Sequence, residues 1–331
     1  MTERFRAFRI DERDGQVRAA FESLTVDDLT PGDVVIRVAY SSINYKDALA
    51  ATGAGKILRR FPLVGGIDLA GTVVESADPR FEPGDAVLAC GDGLGETVDG
   101  GYAELARLPS GAVDPIPPGL DARSAMAIGT AGLTAALALH RIETNGQTPA
   151  LGPIVVTGAT GGVGSIAIDL LAARGYEVAA LTGKTDARAY LERLGAAQII
   201  DRRAFAKPPG PLGKATWGGG IDSVGGDVLA ALLATTRPNG NVASIGLAGG
   251  AKLETTVMPF ILRGVSLVGI NAAVIEPALR AELWRKLGAE WKPRRLDEIA
   301  SREVSFDELP DVFPEFLAGR IVGRVVVRIG A

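Results

Sequence analysis

A glycine-rich turn, GATGGVG at residues 158–164, constrains the fold of this chain more than any other segment. It follows the apolar run PIVVT, and the segment after it carries apolar residues at the spacing of one helix face. Glycines between a strand and a helix allow a tight turn and let a pyrophosphate approach the backbone N–H groups at the start of the helix. A second strand, EVAALT, follows at residues 177–182. The segment therefore predicts a dinucleotide-binding βαβ unit, with a merely tight strand–helix turn as the alternative.

Strands and helices alternate from about residue 123 onward. The helical pattern ARAYLERLGA and four further apolar runs, AQII, GIDSV, NVASIGL and VSLVGI, follow the turn with short connections. Such alternation is typical of a parallel sheet with helices on both faces. We therefore predict an α/β fold with a doubly wound parallel sheet in this part of the chain.

The first 122 residues are instead rich in strand and turn signals. Apolar and β-branched runs occur at residues 33–43, 66–76 and 81–90, and Pro-Gly and Gly-Asp pairs mark the turns. The last segment, SFDELPDVFPEFLAGRIVGRVVVRI, ends in a short strand with no helix after it. We expect a compact β-rich domain at the start of the chain, and we expect the last strand to return to it.

Charge and residue usage exclude several classes of protein. The net charge of −4 gives no electrostatic reason to expect nucleic acid or an anionic membrane as a partner. The chain has one cysteine, Cys90, and one histidine, His140, whereas a catalytic zinc site needs three protein ligands, so we expect no metal site. The uncharged stretch 144–168 is broken by prolines and glycines and does not predict a membrane-spanning helix. With a single cysteine, these features predict a soluble, cytoplasmic protein.

The end of the second strand favours NADPH over NADH. Enzymes that use NAD place Asp or Glu there to bind the ribose 2′-hydroxyl, whereas this chain reads Thr182-Gly183-Lys184. A hydroxyl, a glycine and a cation suit a 2′-phosphate, which an acid would repel. Arg202, just after the third strand, could supply a second cation, and Asp186 is expected to cap the next helix.

A group of polar side chains, SSINYKD at residues 41–47, stands where the strand 33–43 ends. Such positions are where rigid scaffolds often present chemistry. Asn44 and Tyr45 begin the turn, where an amide hydrogen and a phenol proton are available as donors at neutral pH. The alternative is that Tyr45 only forms a wall of the pocket. We expect Lys46 and Asp47, one step further into the helix, to pair on its surface.

Segments from nearly the whole chain carry a family resemblance. They are SSINYKDALAATGAGKI (41–57), FPLVGGIDLAGTVVESADPRFEPGDAVL (61–88), GGYAELARL (100–108), AMAIGTAGLTA (125–135), VTGATGGVGSIAI, GIDSVGG, IGLAGG (245–250) and PFILRGV (259–265). With these segments the chain resembles the zinc-independent, quinone-oxidoreductase-like branch of the medium-chain dehydrogenase/reductase superfamily. Within that branch it is most similar to the NADPH-dependent acrylyl-CoA reductases.

The resemblance implies a division into two domains. Residues 1–122 and 296–331 are expected to form a GroES-like catalytic domain, and residues 123–295 a Rossmann NADPH-binding domain, with the active site in the cleft. It also implies a homodimer formed through the Rossmann sheets.

The resemblance further implies roles for single residues. Tyr45 and Asn44 are the expected catalytic residues, with Tyr45 beside the nicotinamide ring. The expected cofactor contacts are Tyr45, Thr130, Thr160, Gly161, Gly162, Val163, Gly164, Thr182, Gly183, Lys184, Arg202, Leu247 and Ile261. Arg59 and Arg60 could meet coenzyme A phosphates, and Arg324 would lie close to the site in the returning tail.

The activity that the resemblance implies is reduction of the α,β double bond of a short enoyl-CoA by NADPH, most directly acryloyl-CoA to propanoyl-CoA. Without a metal, the protein must donate hydrogen bonds to the thioester oxygen and supply a proton to the α-carbon. Two alternatives stay open. One is an NADPH:quinone oxidoreductase, which the same cofactor half would serve, and the other is a redox-inert NADPH-binding protein with a structural or sensing role.

Overall fold

The chain divides into two compact units in the computed structural model, which describes residues 3–205 and 209–330. The discontinuous unit comprises the chain through Thr130, then Ala272–Glu290 and the chain from Leu296 onward. The central unit comprises Ala131–Asn271 and Trp291–Arg295.

The strands and α-helices of the described residues are numbered here in chain order. The strands are β1 Phe5–Arg13, β2 Gln16–Leu24, β3 Val34–Ile43, β4 Leu63–Val64, β5 Asp68–Ser76, β6 Ala86–Cys90, β7 Leu105–Leu108, β8 Asp114–Pro115, β9 Ile154–Thr157, β10 Val178–Thr182, β11 Ala196–Asp201, β12 Trp217–Asp222, β13 Thr236–Ser244, β14 Ser266–Gly269, β15 Arg302–Ser305 and β16 Val325–Arg328. The α-helices are α1 Tyr45–Thr52, α2 Ala122–Thr144, α3 Gly162–Ala173, α4 Arg188–Arg193, α5 Gly226–Thr235, α6 Met258–Arg263, α7 Pro277–Gly288, α8 Leu296–Ile299 and α9 Leu309–Leu317.

The discontinuous unit is built on two sheets. The larger sheet has the strand order β15-β16-β3-β5-β6-β8, with β7 also paired to β3, and the smaller sheet has the order β2-β1-β4. The last strand, β16, runs antiparallel to β3, with Val325 opposite Ile43. This pairing confirms that the tail returns to the β-rich part of the chain. Buried apolar side chains such as Ile36, Leu63 and Val327 form one core with the helices α1 and α9.

The central unit contains a six-stranded sheet with the order β11-β10-β9-β12-β13-β14. Every neighbouring pair in it is parallel, which confirms the predicted α/β fold with a parallel Rossmann sheet. Val155, Leu181 and Val242 are buried in its core. The chain order reverses between β9 and β12, and in open α/β sheets ligands bind at the carboxyl ends of the strands at such a point.

Among the residues that the structure describes, one helix, α2, is long and apolar enough to cross a bilayer by length and composition. Of its most apolar window, 83% is buried inside the structure, as is usual for the core helix of a folded protein. The helix is interrupted at Gly129, whose φ of 50° and ψ of −159° are not helical.

Candidate functional site

The glycine-rich turn of the central unit connects β9 to α3. Gly158 has a φ of 59°, and α3 begins at Gly162 with Gly161 as its N-cap. A Cβ atom on Gly164 would lie 2.5 Å from the carbonyl oxygen of Gly158, so only glycine fits there. Thr160 is buried beside this turn. The backbone N–H groups at the start of α3 thus lie at a turn whose glycines leave room for a pyrophosphate.

Asp222, a buried carboxylate that the sequence analysis did not single out, fixes the end of the neighbouring strand β12. Asp222, the last residue of β12, accepts hydrogen bonds from Thr157 Oγ1 at 2.6 Å and from the backbone N–H of Gly225 at 2.8 Å. Burial raises the pKa of Asp222. These bonds tie the ends of β9 and β12 together on either side of the point where the chain order reverses.

The residues predicted to hold a 2′-phosphate lie together at the end of β10. A Cβ atom on Gly183 would stand 2.8 Å from Arg202 Nε, so the guanidinium of Arg202 packs directly against this glycine. Thr182 Oγ1 accepts a hydrogen bond from the backbone N–H of Lys184 at 3.0 Å. Partial burial lowers the pKa of Lys184. Two cationic side chains and a hydroxyl thus share one strand end, which is the composition that a phosphate needs.

Asp186 does not cap the next helix, contrary to the prediction. It lies inside a short 3-10 turn, Thr185–Ala187, and the N-cap of α4 is Ala187 with no side-chain hydrogen bond. The turn comes between the strand end and the helix, so the helix starts later than the sequence pattern suggested.

The two remaining predicted cofactor contacts of the central unit lie at different places. Leu247, after β13, is 65% exposed, and its Cα lies 3.3 Å from the Cβ position of Gly225 at the carboxyl end of the sheet. Ile261 is 72% exposed on α6. Two residues later, Arg263 donates to the carbonyl of Thr236, where β13 begins. The structure therefore brings Leu247 close to the carboxyl ends of the strands and ties the end of α6 to the opposite end of β13.

In the discontinuous unit, Tyr45 is the first residue of α1 and directly follows the end of β3, where the sequence placed it. Its side chain is 48% exposed. Within residues 3–205 and 209–330 its hydroxyl makes no hydrogen bond, so the phenol is available as a donor.

Asn44, the N-cap of α1, is held by two carboxyl side chains and one guanidinium. Its Nδ2 donates to Asp68 Oδ2 at 2.8 Å and to Asp47 Oδ2 at 3.2 Å, and its Oδ1 accepts from Arg324 Nη1 at 2.9 Å. An amide has two N–H hydrogens, and both are engaged in these bonds. A hydrogen bond from Asn44 to a substrate would have to replace one of them.

Asp68 is a fully buried carboxylate at the start of β5, and sequence reasoning missed it. Oδ2 accepts from Ser42 Oγ and from Asn44 Nδ2, and Oδ1 accepts from the backbone N–H and Oγ1 of Thr130. With Arg324 Nη2 at 3.5 Å from Oδ2 as a fifth and longer contact, both oxygens of this carboxylate are fully engaged. One carboxylate therefore contacts both the predicted catalytic Asn44 and the predicted cofactor contact Thr130.

Arg324 lies in the interior and not at a surface open to substrate. It is 3% exposed, and its Nε donates to the carbonyl of Ala127. Its Nη1 donates to Asn44 Oδ1 and to the carbonyl of Ile43, and its Nη2 donates to Ser42 Oγ and to the carbonyl of Met126. All five guanidinium N–H donors have protein acceptors, so none remains for a substrate phosphate. The expectation that Arg324 contacts substrate is corrected accordingly.

Asp47 and Lys46 do not pair on the helix surface, contrary to the prediction. Asp47 is buried, where its Oδ2 accepts from the backbone N–H of Asn44 at 2.8 Å and its Oδ1 from that of Ile67 at 3.0 Å. Burial, and then the charge of Asp68, raise the pKa of Asp47 to about 7. Lys46 pairs instead with Glu96 at 2.5 Å.

Arg59 and Arg60 are exposed in the loop before β4. The backbone N–H of Arg59 donates to the carbonyl of Glu96 at 2.8 Å, which fixes the loop and leaves the side chain in solvent. Contact with coenzyme A phosphates stays a prediction for these two residues.

Two family models match the chain. The alcohol dehydrogenase GroES-like domain matches residues 30–118, and the zinc-binding dehydrogenase matches residues 162–290. The second description implies zinc, but the donor set does not fit it. Burial and the Asp68 carboxylate raise the pKa of the Cys90 thiol, which disfavours the thiolate that binds metal. Over the parts of the chain that the structure describes, no three His, Cys, Asp or Glu side chains form a group that could hold a metal.

Relatives match the chain from end to end. The putative quinone oxidoreductase YhfP of Bacillus subtilis is 45% identical over 330 residues, which are 99% of this chain and 100% of that protein. The probable acrylyl-CoA reductase AcuI of Escherichia coli is 46% identical over 323 residues, which are 98% of this chain and 99% of that protein.

Solved structures show the same fold. YhdH of E. coli K-12, crystallised with bound NADPH, matches with a TM-score of 0.95 and 46% identity, covering 98% of this chain and 100% of that one. Bacillus subtilis YhfP, crystallised with bound NAD, matches with a TM-score of 0.95 and 44% identity, covering 99% of this chain and 100% of that one.

Proposed function

Because the chain belongs to the medium-chain dehydrogenase/reductase superfamily, we propose that it is an NADPH-dependent reductase of a short enoyl-CoA, with acryloyl-CoA as the substrate and propanoyl-CoA as the product. A relative of 46% identity bears the name probable acrylyl-CoA reductase, and a structure of 46% identity holds NADPH. The observation in this chain that carries the proposal is the exposed Tyr45 hydroxyl, a donor at the end of a strand with a buried polar network behind it.

The central unit has the features that NADPH requires. The glycine-rich turn before α3 would hold the pyrophosphate. Lys184 and Arg202 would hold the 2′-phosphate. Lys184 follows the end of β10, where an NAD enzyme carries an acid, and the side chain of Arg202, which follows β11, packs against Gly183 beside it. Because one relative was crystallised with NAD, the preference of this chain for NADPH over NADH is to be measured directly.

NADPH, when bound, supplies the hydride that reduces the β-carbon of the conjugated double bond. As the double-bond electrons shift, negative charge develops on the thioester oxygen, and a hydrogen-bond donor placed there stabilises it. The Tyr45 hydroxyl is such a donor, since a phenol O–H can donate a hydrogen bond and Tyr45 is exposed at the start of α1. A proton added at the α-carbon completes the product, and Tyr45 can supply it by general acid catalysis.

The test is NADPH oxidation by the purified protein with acryloyl-CoA, crotonyl-CoA and a naphthoquinone, each over a range of concentrations. We expect kcat/KM to be highest for acryloyl-CoA, and we expect NADPH to be used in preference to NADH. If kcat/KM for the quinone exceeds that for acryloyl-CoA by about an order of magnitude, the function is instead that of a quinone oxidoreductase, the activity for which the Bacillus subtilis relative is named.

We propose a cytoplasmic homodimer. The strand β14 forms one edge of the central sheet, and Leu267 on it is exposed, as are Val257 at the N-cap of α6 and Leu262 on that helix. An open edge with apolar side chains is suited to pairing with a second copy of the same edge. A buried single cysteine agrees with a reducing compartment. Light scattering of the unaltered protein and of Leu267→Lys tests the dimer, since a charge at that edge should give monomers.

A further inference from the structure

The buried pair of Asp68 and Arg324 is the centre of a hydrogen-bond network that includes Ser42 and Asn44. Ser42 Oγ joins the two, because it accepts from Arg324 Nη2 at 2.7 Å and donates to Asp68 Oδ2. The direct distance between Arg324 Nη2 and Asp68 Oδ2 is 3.5 Å. A Cβ atom on Gly129 would meet both Arg324 Nη2 and Asp68 Oδ2 at 2.6 Å, so the pair fills the space left by the missing side chain.

This network fixes the amide of Asn44 in one orientation. A carboxylate on one side can only accept, and a guanidinium on the other side can only donate. Turning the amide by 180° would place its NH2 group against the Arg324 donor and its oxygen against the Asp68 carboxylate. The charges therefore select the observed orientation, in which Nδ2 faces Asp68 and Oδ1 faces Arg324.

Fixing Asn44 also fixes the start of α1. Asn44 is the N-cap, and Tyr45 is the first residue of the helix. The direction in which the Tyr45 side chain leaves the backbone is set by this cap. Asp68 reaches a second predicted functional residue as well, since both of its Oδ1 hydrogen bonds come from Thr130.

Stability alone does not account for such a pair. Replacing a buried ion pair by apolar residues is often neutral or stabilising, because removing two charges from water is costly. The chain contains a second buried pair in the same unit, in which Arg280 Nε donates to Asp114 Oδ2 at 2.6 Å. That pair has no contact with Asn44 and serves as a matched reference.

We infer that Asp68 and Arg324 are positioning residues for the proposed reductase: through Ser42 and the amide of Asn44 they hold the first turn of α1, and hence the Tyr45 hydroxyl, in the orientation used in turnover. The inference rests on the proposed function for its kinetic readout. Neither residue contacts substrate in this role, and both act through Asn44.

The experiment compares Asp68→Asn and Ser42→Ala with Asp114→Asn as the control. For each variant, kcat and the KM values for acryloyl-CoA and NADPH are measured, and amide hydrogen exchange is followed over residues 44–52. In Asp68→Asn an NH2 group can face the Asn44 amide hydrogens, and in Ser42→Ala the link to Arg324 is lost. We expect kcat to fall by about tenfold or more in Asp68→Asn and by less in Ser42→Ala, with the KM for NADPH changing by less than about threefold.

Exchange over residues 44–52 should accelerate in both variants and stay unchanged in Asp114→Asn, which should also keep its kcat. A kcat for Asp68→Asn within about twofold of the unaltered protein, or an equal loss in the control, overturns the inference. If Asp68→Asn does not fold, unchanged kcat and exchange in Ser42→Ala overturn it. If the unaltered protein reduces none of the substrates, the proposed function fails, and the exchange measurement still decides whether the pair orders the start of α1.

Discussion

Replacing Asp47 by asparagine should remove a specific part of the pH dependence of folding. Asp47 is buried at the third position of α1, and its pKa is raised to about 7, first by burial and then by the Asp68 carboxylate. Three hydrogen bonds from Asn44 and Ile67 oppose the rise and do not cancel it. Burial and the charge of Asp47 also raise the pKa of the nearby Tyr102 phenol, so Tyr102 stays protonated.

The direction of the pH dependence of the unfolding free energy follows from the number of protons that each state binds. With a pKa near 3.8 in the unfolded chain and about 7 in the folded one, the folded state holds the proton longer as pH rises. The unfolded state is therefore favoured progressively between about pH 4 and pH 7. Each unit of pKa is worth about 1.4 kcal/mol, so Asp47 should lower the unfolding free energy by about 2.5 kcal/mol between pH 5 and pH 8.

The assay is urea unfolding of the unaltered protein and of Asp47→Asn at pH 5 and pH 8. The unaltered protein should lose about 2.5 kcal/mol more than the variant over this interval, whatever their absolute stabilities. Asp27→Asn, an exposed change in the same unit, serves as the control and should follow the unaltered protein. Parallel pH dependences for the unaltered protein and Asp47→Asn would refute the reasoning, since Asp47 would then titrate alike in both states.

Four further predictions concern the proposed activity. Tyr45→Phe should lower kcat with acryloyl-CoA by at least about tenfold at saturating NADPH, and near-normal turnover would show that the hydroxyl is dispensable. Lys184→Ala should raise the KM for NADPH by about ten- to a hundredfold and leave NADH use unchanged, and an equal effect on both cofactors would place Lys184 elsewhere. Gly183→Ala should displace Arg202, whose Nε lies 2.8 Å from the added carbon, and raise the KM for NADPH selectively; no change would exclude Arg202 from the phosphate site. Prolonged chelation should leave turnover unaffected, and restoration of lost activity by zinc would contradict the donor-set argument.

The fold, and the grouping of the candidate cofactor contacts in the central unit, were largely predictable from the sequence. The turn at residues 158–164, the end of β3 at Ile43 and the grouping of Gly183 with Arg202 depend on local pattern and on the order of strands. Parallel strands bring their carboxyl ends to one edge, so residues that follow different strands meet there.

The buried network of the discontinuous unit was not predictable in the same way. Asp68 is the single charge in the apolar run GIDLAG, and Arg324 is one of two arginines in GRIVGRVVV, so neither run signals the pairing of these two residues. Their meeting depends on the pairing of β16 with β3, which local pattern does not encode. Asp47 was expected on the surface of α1 for a related reason. Its buried hydrogen bond comes from the backbone of Ile67, which lies outside α1 and is not signalled by the helix pattern.

The return of β16 to β3 also determines when the network can form during synthesis. Asp68 and Arg324 are 256 residues apart, so at about 5–20 residues per second the carboxylate leaves the ribosome about 13 to 50 s before its cation. Over that interval Asp68, Ser42 and Asn44 lack the guanidinium that completes their hydrogen bonds in the folded chain. The continuous segment Ala131–Asn271, which holds the parallel sheet, emerges in the meantime. The nascent chain can therefore assemble the parallel sheet before β16 is available to pair with β3, and the hydrogen bonds around Asn44 are completed only after Arg324 has emerged.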